Sequence, residues 1–341
     1  MRIKTGYVCL ILAISVLLLL FANLCLGAVS IPIKGIISIL TGGTTGKAGW
    51  DFIVLQSRLP AAIAALLAGT SLAASGLMLQ TVFRNPLAGP DILGINGGAG
   101  LGVAIVMMAL GGNLSFGSFT LGAGLSIMAG SFAGALVIMG IILFLSSRLK
   151  SPVSLLIAGI MVGYLASSII SLLNFFSTAE GVHSYTVWGM GNFGSITLSR
   201  LPLYVVATLS GLLTAALLVK PLNAMLLGEN YAENLGINIR RTRTLMLLST
   251  GLLVAVTTAF CGPISFIGLA VPHLARLMTN SGNHRSLMPV TILTGAAITL
   301  LCNLISILPG NRGLIPLNAI TPVLGAPVII YVLMRGRHSL R

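Results

Sequence analysis

The residues that could do chemistry are few. Asp51, Asp91, Glu180, Glu229 and Glu233 are the only carboxylates, and His183, His273, His284 and His338 the only histidines. General acid–base catalysis needs a positioned donor or acceptor within hydrogen-bond reach of the substrate. Glu180 and His183 are close in sequence, but no second carboxylate stands near them. The histidines read as isolated polar or interfacial residues. Cys9, Cys25, Cys261 and Cys302 lie in or at the ends of apolar runs without CxxC spacing. Free cysteine there behaves as a small hydrophobe, so no metal site or disulfide framework is expected.

Two glycine patterns imitate nucleotide motifs. TGGTTGKAG (41–49) has Thr41 and Ala48 where a phosphate loop needs Gly and Ser or Thr. GMGNFG (189–194) matches GxGxxG through Gly189, Gly191 and Gly194, but no βαβ unit surrounds it. Both read as loop glycines. The chain is expected to bind no cofactor.

Composition explains this poverty. The chain is 56% hydrophobic and 7% charged, against about 25% charged in soluble domains. A bilayer span needs about 20 mostly apolar residues, and such runs recur along the sequence. The expectation is an all-α, polytopic membrane protein with about ten transmembrane helices, near 7–28, 60–82, 92–110, 121–146, 153–174, 202–219, 242–260, 264–279, 289–307 and 319–334. Met1-Arg-Ile-Lys and the run after it read as a first transmembrane helix. The net charge of +14 comes in twos and threes between spans, which speaks for topology rather than nucleic acid. Fourteen of the 19 Lys and Arg fall on one set of alternating loops; Lys34, Lys47, Arg58, Arg200 and Arg312 form the other. The positive-inside rule then puts both termini in the cytoplasm. The long loops 29–59 and 175–201 fall outside, and Tyr185 and Trp188 suit a short helix at the interface.

All five carboxylates are placed near span ends or in loops. Intramembrane carboxylates mark ion relays, so a proton-coupled transporter is disfavoured and energy must come from elsewhere. Many glycines fall within spans (Gly69 and Gly76; Gly97, Gly98, Gly100 and Gly102; Gly122, Gly124, Gly130 and Gly134) and suit close helix packing. Each half carries a Gly/Pro-broken segment, FRNPLAGPDILG (83–94) and CGPISFIGLAVPH (261–273), as inverted-repeat transporters do. In LLGENYAENLGIN (226–238) a short helix over 226–235 is expected, ended by Gly236 at C′. Glu229 and Glu233 share its face at i,i+4. Solvated loop and docking site both fit these residues.

Four segments carry a resemblance: RLPAAIAALLAGTSLAASGLMLQTVFRNPLAGPDILGINGGAGLG (58–102), GENYAENLGI (228–237), GPISFIGLAVPHLARLM (262–278) and ITPVLGAPVIIYVLMR (320–335). Together they resemble the permease subunits of ABC importers for iron-siderophores, haem and cobalamin, along nearly the whole chain. The resemblance implies one permease domain over 1–341 that pairs with a second copy of itself. It implies two cytoplasmic ATPase subunits that hold ATP and Mg, and an outside binding protein that delivers the chelate. The loop 220–239 would couple to the ATPase through Gly228, Glu229, Ala232, Glu233, Leu235 and Gly236. Arg58 and Arg312 would meet the binding protein. Ala61 stands where a second Arg is usual, and Leu314 where Glu is common. Ser151, Pro152 and Val153 would form the inner gate, and Ser167, Ser168, Ser171 and Asn174 would face the path. The alternatives are an ion-coupled secondary transporter and a structural or scaffold membrane protein.

Overall fold

The computed structural model describes residues 5–116, 119–149, 151–310 and 313–336. The chain runs through α1 (Thr5–Cys25), α2 (Ile33–Leu40), α3 (Ala48–Phe52), a π-helical turn (Ile53–Arg58) and α4 (Leu59–Val82). A 3-10 turn (Pro90–Leu93) leads into α5 (Ile95–Ala104), followed by α6 (Ala123–Arg148), α7 (Pro152–Phe176) and α8 (Ala179–Gly189). Then come α9 (Leu201–Leu217), α10 (Val219–Leu226), α11 (Glu229–Asn234), α12 (Ile239–Cys261), α13 (Ile267–Thr279), α14 (His284–Ile307) and α15 (Leu317–Gly336). The departure from all-α structure is a small antiparallel hairpin, β1 (Leu114–Phe116) with β2 (Phe119–Leu121).

Each of the ten apolar segments holds a helix. Six are long and apolar enough to cross a membrane: α1, α4 with the turns before it, α6, α7, α12 and α14. The pair α9 and α10, bent by 48°, makes a seventh. The helices α5 and α15 are shorter apolar elements, and α13 has 13 residues.

Burial sorts these helices. In α4, 89% of the apolar window is inside the protein, against 17% in α7. Thus α4 is the axis of the bundle, packed by α14, α12, α13 and α9. Its composition allows this. A Cβ on Gly69 would lie 2.2 Å from the Gly295 carbonyl oxygen of α14, and one on Gly76 would lie 1.7 Å from that of Gly268 in α13. Only glycine lets those backbones meet, which replaces the hydrophobic drive that lipid removes. The crossing of α5 and α6 is built the same way from Gly98 and Gly102 against Gly134 and Gly130.

The two Gly/Pro-broken segments meet inside the bundle. A Cβ on Gly268, at the start of α13, would strike the Pro90 ring at 2.5 Å and approach the Leu72 carbonyl oxygen at 2.9 Å. The short helices α5 and α13 therefore begin beside the middle of α4, not at its ends. This corrects the placement of Asp91, expected in a loop near a span end: it lies between Pro90 and Ile92, alongside the body of α4.

Candidate functional site

The segment between α10 and α12 is built by two glycines. Gly228, at φ +127°, breaks the helix expected over 226–235, so α11 starts only at Glu229. Gly236, at φ +80°, ends it as expected: its N–H donates to the Glu233 carbonyl and that of Ile237 to the Ala232 carbonyl, a Schellman motif. Leu226, Leu227, Tyr231 and Leu235 are exposed around it. Such apolar side chains together on a polar, basic end of the molecule form a surface suited to a protein partner.

Two side chains expected at that surface point elsewhere. Ala232 is wholly buried, so it anchors α11 to its own bundle. Glu229 is turned back to α12, where Arg243 Nη2 donates to its Oε1 at 2.7 Å. This is the one ion pair among the described residues. Arg243 is buried, which explains why a carboxylate is needed: an unpaired guanidinium there would lack its hydration. Glu233 remains exposed and is the carboxylate free to meet a partner.

At the opposite end, Arg58 was expected as an outward cation. It is buried instead. Its Nη1 donates to the Leu24 and Cys25 carbonyls at 2.8 and 3.0 Å, and its Nη2 to the Val29 carbonyl. The guanidinium thus neutralises the carbonyl end of α1 and holds the turn that follows. A cavity of about 250 Å³ opens beside it, between Gly27, Asn192, Asn303 and Leu314. Arg312 lies outside the described residues.

Along α7, Ser151 caps the helix, its Oγ accepting from Ser154 N–H, with Pro152 in the first turn. Val153 is exposed. Ser167, Ser168 and Ser171 are exposed; the hydroxyls of Ser168 and Ser171 bond back to the Tyr164 and Ser167 carbonyls. Asn174 is half-buried, and its Oδ1 lacks a hydrogen-bond partner. The expected path residues therefore share one largely bare helix. Beyond its end, α8 carries Tyr185 and Trp188 with ring centroids 5.9 Å apart, and burial pushes the Tyr185 hydroxyl up.

Sequence reasoning missed several polar clusters. Asn318 on α15 donates to the Gly189 and Pro263 carbonyls and accepts from Ser265 N–H and Oγ, tying the broken segment before α13 to the end of α8. His284 is buried, with Nε2 2.7 Å from Thr81 Oγ1 and Nδ1 3.0 Å from Asn223 Oδ1. His273 Nε2 lies 2.8 Å from the Pro86 carbonyl oxygen. These two histidines brace the segment after α4 and the start of α14 rather than standing alone. Thr258 Oγ1 donates to Asn96 Oδ1 at 2.7 Å, and Asn96 Nδ2 donates to Asp91 Oδ1. No group of three His, Cys, Asp or Glu able to hold a metal occurs among the described residues.

The family model described as the FecCD transport family matches residues 14–335. The chain belongs to the FecCD transport family. It is 36% identical over 326 residues to the vitamin B12 import system permease protein BtuC of Klebsiella pneumoniae subsp. pneumoniae, covering 96% of this chain and 93% of that protein. The BtuC of Citrobacter koseri is 35% identical, with 84% of each chain covered. In structure, this FecCD chain superposes on a chain from the inward-facing conformation of a transporter assigned to the metal-chelate type of ABC transporters. The TM-score is 0.82 at 26% identity, over 97% of this chain and 99% of that one. The permease resemblance read from the four quoted segments thus holds along nearly the full length.

Proposed function

We propose that this FecCD chain is the translocation subunit of an ATP-driven importer, moving a metal chelate (a ferric siderophore, haem or cobalamin) inward across the cytoplasmic membrane of a bacterium. The observation that carries this is the family match over 14–335, supported by relatives of nearly equal length that are import permeases. The whole chain acts as one permease domain with ten membrane segments and both termini in the cytoplasm. Two copies enclose the path. It performs no covalent chemistry and binds no cofactor; ATP and Mg are held by two cytoplasmic ATPase subunits. An outside binding protein delivers the chelate.

The parts then have physical roles. The segment 220–239 is the coupling surface: exposed Leu226, Leu227, Tyr231 and Leu235 fill a groove on the ATPase, and Glu233 meets a basic residue there. Glu229, Gly228, Ala232 and Gly236 set its shape. Arg58 supports the outer docking face by fixing the turn after α1, and Arg312 supplies cationic charge to it. Bare α7 lines the path with Ser167, Ser168, Ser171 and Asn174, and Ser151, Pro152 and Val153 close its inner end, where small side chains let a bulky cargo pass.

Uptake into proteoliposomes holding the chain, its co-purifying ATPase and the binding protein tests this. Chelate accumulation should require the ATPase and ATP and should be blocked by vanadate. Uptake that collapses with a protonophore while ATP stays high would establish the ion-coupled alternative instead.

A further inference from the structure

Asp91 lies at a depth where a carboxylate has few places to go. Two helices measure that depth independently. Its neighbour Pro90 packs on Gly268, which sits against Leu72 and Gly76 of α4. Those residues are ten and six positions before the Val82 end, about 15 and 9 Å at 1.5 Å per residue. On its other side, the Ile92 carbonyl oxygen and Leu93 Cα face Gly159 of α7, and Gly94 faces Gly159 and Gly163. Those are seven and eleven positions after Pro152, about 10 and 16 Å. From the Leu59 end of α4, Leu72 is still about 20 Å distant. Both rulers agree: the carboxylate is well inside the span of the bundle.

At that depth Asp91 is nonetheless exposed. Its Oδ1 accepts from Asn96 Nδ2. The amide is in turn oriented by Thr258, whose hydroxyl donates to Asn96 Oδ1 at 2.7 Å. An exposed carboxylate at membrane depth faces water or a protein-lined cavity, because a charge facing lipid is too costly. The backbone that follows it, Ile92 to Gly94, packs on α7, the barest of the long spans, and Ser167 continues the Gly159–Gly163 stripe one turn further on.

We infer that Asp91, held by Asn96 and Thr258, is a fixed negative charge in the wall of an aqueous translocation path bounded by α7, and that it selects for cargo presenting positive charge or hydrogen-bond donors over polyanionic cargo. The inference rests on the importer function proposed above and identifies one charged residue of its path.

The test needs neither cargo nor ATP. The full chain, with its ATPase in proteoliposomes, carries Ser167→Cys as a reporter; the partly accessible Cys9 and Cys25 are replaced by Ser, and buried Cys261 and Cys302 are kept. Modification rates are compared for a cationic trimethylammonium and an anionic sulfonate methanethiosulfonate. The cation should react faster, and the cation-to-anion ratio should fall about threefold or more in Asp91→Asn, as expected for losing a unit charge about 10 Å away. Asp91→Glu should restore it. A ratio unchanged by Asp91→Asn overturns the inference, as does a Ser167→Cys that reacts only with a lipid-soluble maleimide. Either result leaves ATP-driven uptake untouched, whereas absence of vanadate-sensitive uptake would remove the importer function alone.

Discussion

Replacing Glu229 by Gln should loosen the coupling segment without unfolding the bundle. The carboxylate lies 2.7 Å from Arg243 Nη2, with side-chain exposures of 29% and 9%. An exposed pair contributes about 0–1 kcal/mol, and removing one partner of a fully buried pair costs about 3–5 kcal/mol. This pair lies between, and Arg243 Nε already lacks a hydrogen-bond partner, so the guanidinium has little else to turn to. A loss of about 1–2 kcal/mol follows, which is about a 5- to 30-fold rise in local opening. Because α11 is short and bounded by Gly228 and Gly236, that opening stays local. Hydrogen exchange of a peptide spanning 226–238, measured by mass spectrometry in nanodiscs, reads it directly. Exchange within twofold of the native chain would refute the reasoning. Glu233→Arg is the companion variant: exchange should stay unchanged while ATPase recovery in a detergent pull-down falls. Glu229→Arg is the poorer probe of docking, since it sets two guanidiniums against each other inside the chain.

Two further outcomes follow from packing and from the outer turn. Gly76→Ala places a Cβ 1.7 Å from the Gly268 carbonyl oxygen, forcing α4 and α13 apart at a cost above the usual ~1–3 kcal/mol of overpacking. Monodisperse yield in detergent should collapse, whereas Gly6→Ala, which meets nothing within 4 Å, should leave it intact; equal yields would contradict the crossing. Arg58→Met removes the donors to the Leu24, Cys25 and Val29 carbonyls; the Leu24 bond is buried and the other two part-buried, and a buried acceptor left unpaired costs about 1–3 kcal/mol. Exchange of peptides covering 24–31 should rise at least tenfold while the 226–238 peptide at the far end is unaffected, and unchanged exchange at 24–31 would speak against that role.

Much of this molecule is written locally. Hydropathy reports whether a segment prefers lipid to water, so the ten apolar runs and the helices within them could be read directly. Glycines at helix crossings were legible as small residues, and Gly236 as the C′ stop of α11, because each depends on near neighbours in the chain. Hydropathy could not say which helix becomes the axis. Helices α4 and α7 are comparably apolar, yet one is buried and the other bare, and only the partners gathered around α4 decide that.

The charged groups depended most on tertiary structure. Arg58 looks like an outer-loop cation until α1, more than 30 residues earlier, presents its carbonyls to it. Glu229 and Glu233 look equivalent on one helical face until Arg243, 14 residues on, claims the first. Asp91 looks like a loop residue because it follows Gly89 and Pro90. Its depth comes from a backbone that turns back between Gly268 and Gly159, and its orientation from Thr258, 162 residues from Asn96. By itself the sequence determined a helical membrane protein, because that property is a sum over local preferences, and its four quoted segments carried the likeness to the permease family. Which carboxylate is paired, which is free and which sits inside the bundle was decided by the fold, because a charge takes its role from groups that only long-range packing brings near.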